Sequence, residues 1–309
     1  MKPVLVTCYV NPDLDGFASA VAYAEFLNSQ GRPAQVGILG VPHDEVKYVL
    51  DRFKLINPKE ISSAADFTEV ILVDASDLNG LEGRIEPDKV VEIIDHRKVN
   101  EAEKFPNAKA QIEMVGAAAT LIAEKFKQAD TRISNESAIL IYSAIISNTL
   151  NFKGSVTTSR DKNIASWLEQ FIEVPPEYWK ELFTAKSDLT GDKLAKRIQG
   201  DFAWFVLGGQ KVGIAQLEII GAAALIRERG KEIITILNKI KAELNLDCIF
   251  QNTIDLEKLN NFIVTNDDLA KNILENALGI KFSGTVAIKD QLIMRKQIVP
   301  LIKEELENL

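Results

Sequence analysis

The chain has 309 residues, carries 36 Lys plus Arg against 44 Asp plus Glu, and so has a formal net charge of −8. That length suits two domains with cores of their own, and 46% hydrophobic with 26% charged residues excludes a disordered chain. The acidic balance argues against a nucleic-acid partner, which needs clustered Lys and Arg, and the two cysteines, Cys8 and Cys248, are too few for a disulfide framework.

The N-terminal strand signal Pro3 to Val10 leads into a helical pattern from Gly16 to Ser29, with Phe17, Ala20, Val21, Ala24 and Leu27 on one stripe. Ala34 to Leu39 reads as a strand, Asp44 to Phe53 as a helix, and Glu69 to Asp74 and Lys89 to Asp95 as further strands. Helical periodicity returns at Gly116 to Lys127 and Asn135 to Asn148. This alternation predicts an α/β domain with a mostly parallel sheet flanked by helices, and ligands in such sheets bind beyond the carboxyl ends of the strands.

The pattern loosens at Thr184 to Asp192, a plausible hinge. Beyond it, Phe202 to Leu207 and Lys211 to Glu218 flank Gly208-Gly209-Gln210 as a hairpin, and Ala222 to Leu244 forms a long amphipathic helix. Strands are expected at Asp247 to Gln251, Asn261 to Thr265 and Gly284 to Ile288, with a helix at Asp267 to Ala277. The expected boundaries are 1–186 for the α/β domain, 187–192 for a linker and 193–309 for a smaller α+β domain. No apolar run reaches the roughly 20 residues of a membrane span. Asn11-Pro12-Asp13 interrupts the apolar start before a signal core forms, so the expected location is cytoplasmic, with no membrane partner.

Acidic residues fall at the predicted strand ends. Asp13 and Asp15 follow the first strand, Asp74 ends Val70-Ile71-Leu72-Val73, and Asp95 ends Val90 to Ile94 with His96 next. Taken singly, Asp15 before a helix reads as an N-cap, and His43 lies near a helix start with no case for metal. Taken together, three strands deliver carboxylates to one sheet edge, where they repel unless a cation neutralises them. Asp oxygens with one imidazole suit Mn²⁺ or Mg²⁺.

Asn11-Pro12-Asp13-Leu14-Asp15-Gly16, Val73-Asp74 and Ile94-Asp95-His96-Arg97 resemble three ordered motifs of the DHH phosphoesterase superfamily. Within it the chain most resembles the manganese-dependent (family II) inorganic pyrophosphatases and their prune-like exopolyphosphatase relatives. The likeness extends to Val115 to Thr120 and Ile145 to Thr149. It continues through Val212 to Glu218 and Arg295 to Pro300 in the second, DHHA2-type domain. It implies hydrolysis of a phosphoanhydride at an interdomain cleft, with one or two ions of Mn²⁺ (or Mg²⁺ or Co²⁺), a small phosphate-containing substrate and a possible homodimer.

Carried over by position, the resemblance gives Asp13 and Asp74 to a first metal, with Asp74 bridging to a second held by Asp15 and His96. Asp95 would orient His96 and fix its tautomer. Arg97 would assist catalysis, and Arg97, Arg295 and Lys296 would bind phosphate. Several family positions are altered: Tyr9 replaces a ligand His, Asn148 a ligand Asp and Arg97 the second His of Asp-His-His. Ala203 stands for a substrate-binding Lys, and Met294 for the Arg that begins the C-terminal basic tract. These changes predict weakened metal binding and reduced turnover, with a non-catalytic phosphate binder as the alternative.

Overall fold

A computed structural model describes residues 2–97 and 100–307. The chain forms two compact units, Met1–Ala185 and Lys186–Leu309.

In the first unit, strands β1 (Val4–Thr7), β2 (Ala34–Val36), β3 (Ile38–Leu39), β4 (Glu60–Ile61), β5 (Val70–Val73), β6 (Val90–Asp95) and β7 (Lys109–Ile112) accompany six α-helices among the described residues. These are α1 (Leu14–Ser29), α2 (Asp44–Phe53), α3 (Ala118–Gln128), α4 (Asn135–Asn148), α5 (Ser159–Leu168) and α6 (Tyr178–Lys186). The main sheet has the order β2-β1-β5-β6-β7, with every pair parallel. All four residues of β1 and of β5 are buried, as in a sheet covered on both faces. Their unbroken apolar runs are therefore what parallel pairing requires.

One expected strand is two. Ala34 to Leu39 divides at Gly37, so that β2 pairs with β1 while β3 turns away to pair with β4. A Cβ on Gly37 would lie 2.5 Å from Ile61 Cδ1 and 2.8 Å from Leu5 Cδ1. The bare backbone is what lets the strand pass between them.

The second unit comprises α7 (Lys193–Gly200), β8 (Phe202–Leu207), β9 (Gln210–Ile219), α8 (Ala222–Leu244), β10 (Cys248–Asp255), β11 (Asn260–Val264), α9 (Asp268–Leu278), β12 (Val286–Lys289) and α10 (Arg295–Glu307). Its sheet has the order β12-β11-β10-β9-β8, parallel only between β9 and β10. Leu207 pairs with Gln210 across Gly208 and Gly209, whose φ values of 53° and 80° give the tight hairpin its turn. Ile233, Leu237 and Ile240 of α8 cover one face of the sheet, while α9 and α10 cover the other with Ile273, Leu274, Ile298 and Ile302.

The expected linker at 187–192 belongs to this unit. Leu189 is buried in the α8-side core. Asp188 Oδ1 accepts from Thr190 N–H at 3.0 Å, and Asp188 pairs with Lys193 at 2.6 Å. An apolar anchor and an Asx turn make the segment part of the fold. Both cysteines are buried free thiols, and among the described residues no helix is long and apolar enough to cross a membrane.

Candidate metal centre

The loop from β1 into α1 carries the first acids. Asp13, not Asp15, is the N-cap: its Oδ1 accepts from Asp15 N–H at 2.9 Å and Gly16 N–H at 3.1 Å. Asp15 lies in the first turn of α1 and is fully buried. Its Oδ2 accepts from Ala118 N–H at 2.8 Å and its Oδ1 from Ala119 N–H at 2.8 Å, the opening amides of α3. Ala117, the N-cap of α3, has no side-chain cap of its own, so an acid from α1 satisfies those donors and meets the positive end of the helix.

Asp74 follows β5 with φ at 51°, a left-handed conformation that a non-glycine residue adopts only at a cost of about 1 kcal/mol. It is 5% exposed. His96 follows β6, and its Nδ1 lies 2.9 Å from the Val115 carbonyl. That carbonyl accepts the Nδ1 proton, so the neutral ring presents the Nε2 lone pair. Nε2 stands 3.4 Å from Asp74 Oδ1 and 3.6 Å from Asp15 Oδ2. One ligand atom from each of Asp15, Asp74 and His96 lies within 4.8 Å of the others, a donor set of hard oxygens and one imidazole that fits a single Mn²⁺.

Electrostatics express the same crowding. Burial, aided by the Asp13 charge, raises Asp15 to about 6 against the pull of His96. Burial and the Asp15 charge hold Asp74 well above the usual carboxylate range. For His96, burial opposes the charged ring, but the Asp74 hydrogen bond and both carboxylate charges prevail and push it up to about 10. A metal must displace that proton. Mn²⁺ affinity is therefore expected to rise about tenfold per pH unit between pH 6 and 9, and a flat titration profile would contradict the assignment of His96 as ligand.

Asp13 Oδ1 caps α1, and the residue lines the same pocket as Asp74 and His96. Asp95 meets His96 at its backbone rather than at its ring. Its Oδ1 accepts from the backbone N–H of His96 at 2.7 Å, and its Oδ2 from Ser76 Oγ and from Arg97 Nε at 2.9 Å. The tautomer is set by Val115. Tyr9 hydroxyl accepts from Asp13 N–H at 3.1 Å, and burial raises this phenol far above its ordinary range. Asn148, the last residue of α4, donates from Nδ2 to Asp15 Oδ2 at 2.7 Å.

Arg97 donates from Nη1 to Asp77 at 3.1 Å and from Nη2 to the Asp74 carbonyl at 3.4 Å, besides its bond to Asp95. With Asn11, Asp13, Asp74, Asn79 and Asn148 it lines a pocket of about 540 Å³. In the second unit, Arg295 donates from Nη1 to the Asp201 carbonyl at 2.9 Å and pairs through Nη2 with the Asp201 carboxylate at 2.7 Å. Lys296, beside it, is exposed.

Comparison with known proteins accounts for the pattern. Residues 3–145 match the DHH family N-terminal domain, and residues 180–305 match the DHHA2 domain. The manganese-dependent inorganic pyrophosphatase of Bacillus subtilis is 32% identical, covering 98% of this chain and 99% of that protein. The chain belongs to the manganese-dependent inorganic pyrophosphatase family. A crystal structure from Methanococcus jannaschii assigned to family II of these pyrophosphatases superposes with a TM-score of 0.71 at 30% identity, covering 99% of this chain and all of that one. An exopolyphosphatase-related protein from Bacteroides fragilis shares the fold at TM-score 0.50 and 14% identity, over 99% of this chain and 92% of that one.

Within this pyrophosphatase-family chain, the residues that sequence reasoning missed are those acting through the backbone. Gly116 follows the Val115 carbonyl, and its N–H donates to both oxygens of buried Asp161 at 2.9 and 3.0 Å. Asp161 is held in turn by Thr120 and Thr158. A Cβ at Gly116 would lie 2.6 Å from Thr149 Cγ2 and 2.9 Å from Asp161 Oδ2. Gly116→Ala is expected to destabilise the protein by about 2 kcal/mol, measured by urea unfolding, and to weaken Mn²⁺ binding because Val115 moves with it. Asp77 carried no signal either, since nothing in its local spacing ties it to Arg97.

Proposed function

We propose that the chain is a metal-dependent phosphoanhydride hydrolase acting on inorganic pyrophosphate or short polyphosphate, working from one firmly held Mn²⁺. The observation that carries this reading is the convergence of Asp15, Asp74 and His96 with Nδ1 of the ring tied to Val115. A divalent ion in such a set lowers the pKa of a coordinated water and stabilises charge developing on phosphoryl oxygen.

The chain's own groups supply binding and orientation. Arg97 has five N–H donors; three are directed at Asp95, Asp77 and the Asp74 carbonyl, leaving others for phosphate. Fixed in that way, its charge neutralises the leaving phosphate without reorganising. Lys296 is the further phosphate contact, a compact charge on a flexible stem, and Arg295 braces the turn that presents it. The reading also carries a cytoplasmic location and a homodimer, the latter supported by the position of β7 at the edge of its sheet among the described residues and checked by sedimentation.

Phosphate release from pyrophosphate, measured with Mn²⁺ supplied and alongside the metal content of the protein, tests the proposal. Metal-dependent turnover supports it, whereas turnover that persists after chelation, or in Asp74→Ala, overturns it. A second reading, a phosphate binder without efficient turnover, has its own observation. Asn148 and Tyr9 are uncharged side chains hydrogen-bonded to Asp15 and to the Asp13 backbone, at positions where the resemblance implies metal ligands. Mn²⁺-dependent binding of pyrophosphate without phosphate release would favour it.

A further inference from the structure

The second unit buries a row of carboxamides in the middle of its sheet. Gln216 of β9 is 5% exposed, and Asn252 of β10 and Asn261 of β11 are fully buried. Neutral amides buried this way destabilise a core unless every group finds a partner. Gln216 Nε2 donates to Glu218 Oε1 at 3.1 Å, and the other amide groups meet one another and a single stretch of backbone. Asn261 Nδ2 donates to Asn252 Oδ1 at 2.6 Å and to the Ile293 carbonyl at 2.6 Å, while Asn261 Oδ1 accepts from Ile293 N–H at 3.0 Å. Asn252 Nδ2 donates to the same carbonyl at 2.9 Å, and Gln216 Oε1 accepts from Arg295 N–H at 2.7 Å.

Three amides on three strands thus fix both polar groups of Ile293 and the amide of Arg295, two residues apart. The gripped segment is the entry to α10, and Lys296 is the next residue along. Arg295 adds a side-chain tether to Asp201 at the start of β8. A leucine zip or a loop with ordinary turn residues would close this sheet face more simply; the amides instead set the segment's position to hydrogen-bond precision.

We infer that Gln216, Asn252 and Asn261 are positioning residues that hold the Ile293–Arg295 backbone so that Lys296 is presented to substrate phosphate. The inference rests on the proposed role of Lys296. Without the clamp the lysine keeps its charge but loses its fixed origin, so ground-state and transition-state contacts to phosphate weaken together.

The test uses the full-length, Mn²⁺-loaded protein with pyrophosphate as probe. Asn261→Leu keeps the branched side-chain shape and removes the bonds to Ile293 and Asn252. It is expected to raise KM about tenfold with kcat within about twofold, the pattern of lost uniform binding, and to leave Mn²⁺ stoichiometry unchanged. Hydrogen exchange at the amides of Ile293 and Arg295 should accelerate. In the double variant with Lys296→Ala, KM should be no higher than for Lys296→Ala alone, because the clamp acts through that lysine; a merely structural lesion would add. Gln216→Met, which removes the acceptor for Arg295 N–H together with the bonds to Glu218 and Asn252, serves the same comparison if Asn261→Leu fails to fold. Additive KM effects, or an unchanged KM beside a clear Lys296→Ala defect, overturn the clamp alone. An unchanged KM in Lys296→Ala overturns the phosphate role of Lys296 and the clamp with it.

Discussion

Asp74→Asn is expected to lower kcat/KM for Mn²⁺-dependent pyrophosphate hydrolysis by about a thousandfold while leaving the metal-free protein at least as stable as before. The activity side follows from the cluster: Asp74 supplies one of three ligand atoms, and losing a Lewis-acid site worth several kcal/mol removes about three powers of ten. The stability side follows from sign. A carboxyl held above its ordinary value by burial and by the Asp15 charge is harder to ionise in the folded chain than in the unfolded one. At neutral pH its ionisation therefore opposes folding. An amide keeps an acceptor 3.4 Å from His96 Nε2 and removes the charge. Steady-state kinetics with Mn²⁺ and thermal unfolding in chelator read the two halves separately. Undiminished turnover would remove Asp74 from the centre, and a markedly less stable metal-free variant would mean that its charge is compensated more fully than by His96 alone.

Asn148→Asp carries the second large effect. Asn148 Nδ2 now donates to Asp15 Oδ2 at 2.7 Å. Replacing that donor by a carboxylate sets two acids against each other beside a buried group, so the metal-free protein should lose about 2–4 kcal/mol. With Mn²⁺ present the loss should be recovered, because ligands that repel without a cation become a site with one. Bound Mn²⁺ measured by elemental analysis should rise from one ion per chain toward two. If stability without metal is unchanged and stoichiometry stays at one, the amide is not what limits the centre to a single ion.

Much of this was readable from the sequence because strand ends are legible. Apolar runs ending in Asp74 and in Asp95-His96 predict both the β5 and β6 strands and the edge on which their acids meet. Asp15 joined them because a βα loop returns to that edge. What local pattern could not give were the bonds made across long separations. Asp13 and Asp15 are alike in sequence, yet one caps its own helix and the other caps a helix about a hundred residues on. Asp95 stands next to His96 and bonds its backbone, while the distant Val115 carbonyl sets the ring. The split at Gly37 and the folded 187–192 segment were missed for a related reason. Pairing partners and buried anchors such as Leu189 are tertiary choices that override local turn propensity.

The anchoring of α3 by Asp15 separates two pressures that usually act on one residue. A descendant that abandoned hydrolysis altogether would still need this acid to start a helix, whereas Asp74, with its unfavourable backbone and crowded charge, would be released to drift. Among homologues, then, persistence of the buried aspartate testifies to architecture, and the acid at the end of β5 is the better witness to surviving chemistry.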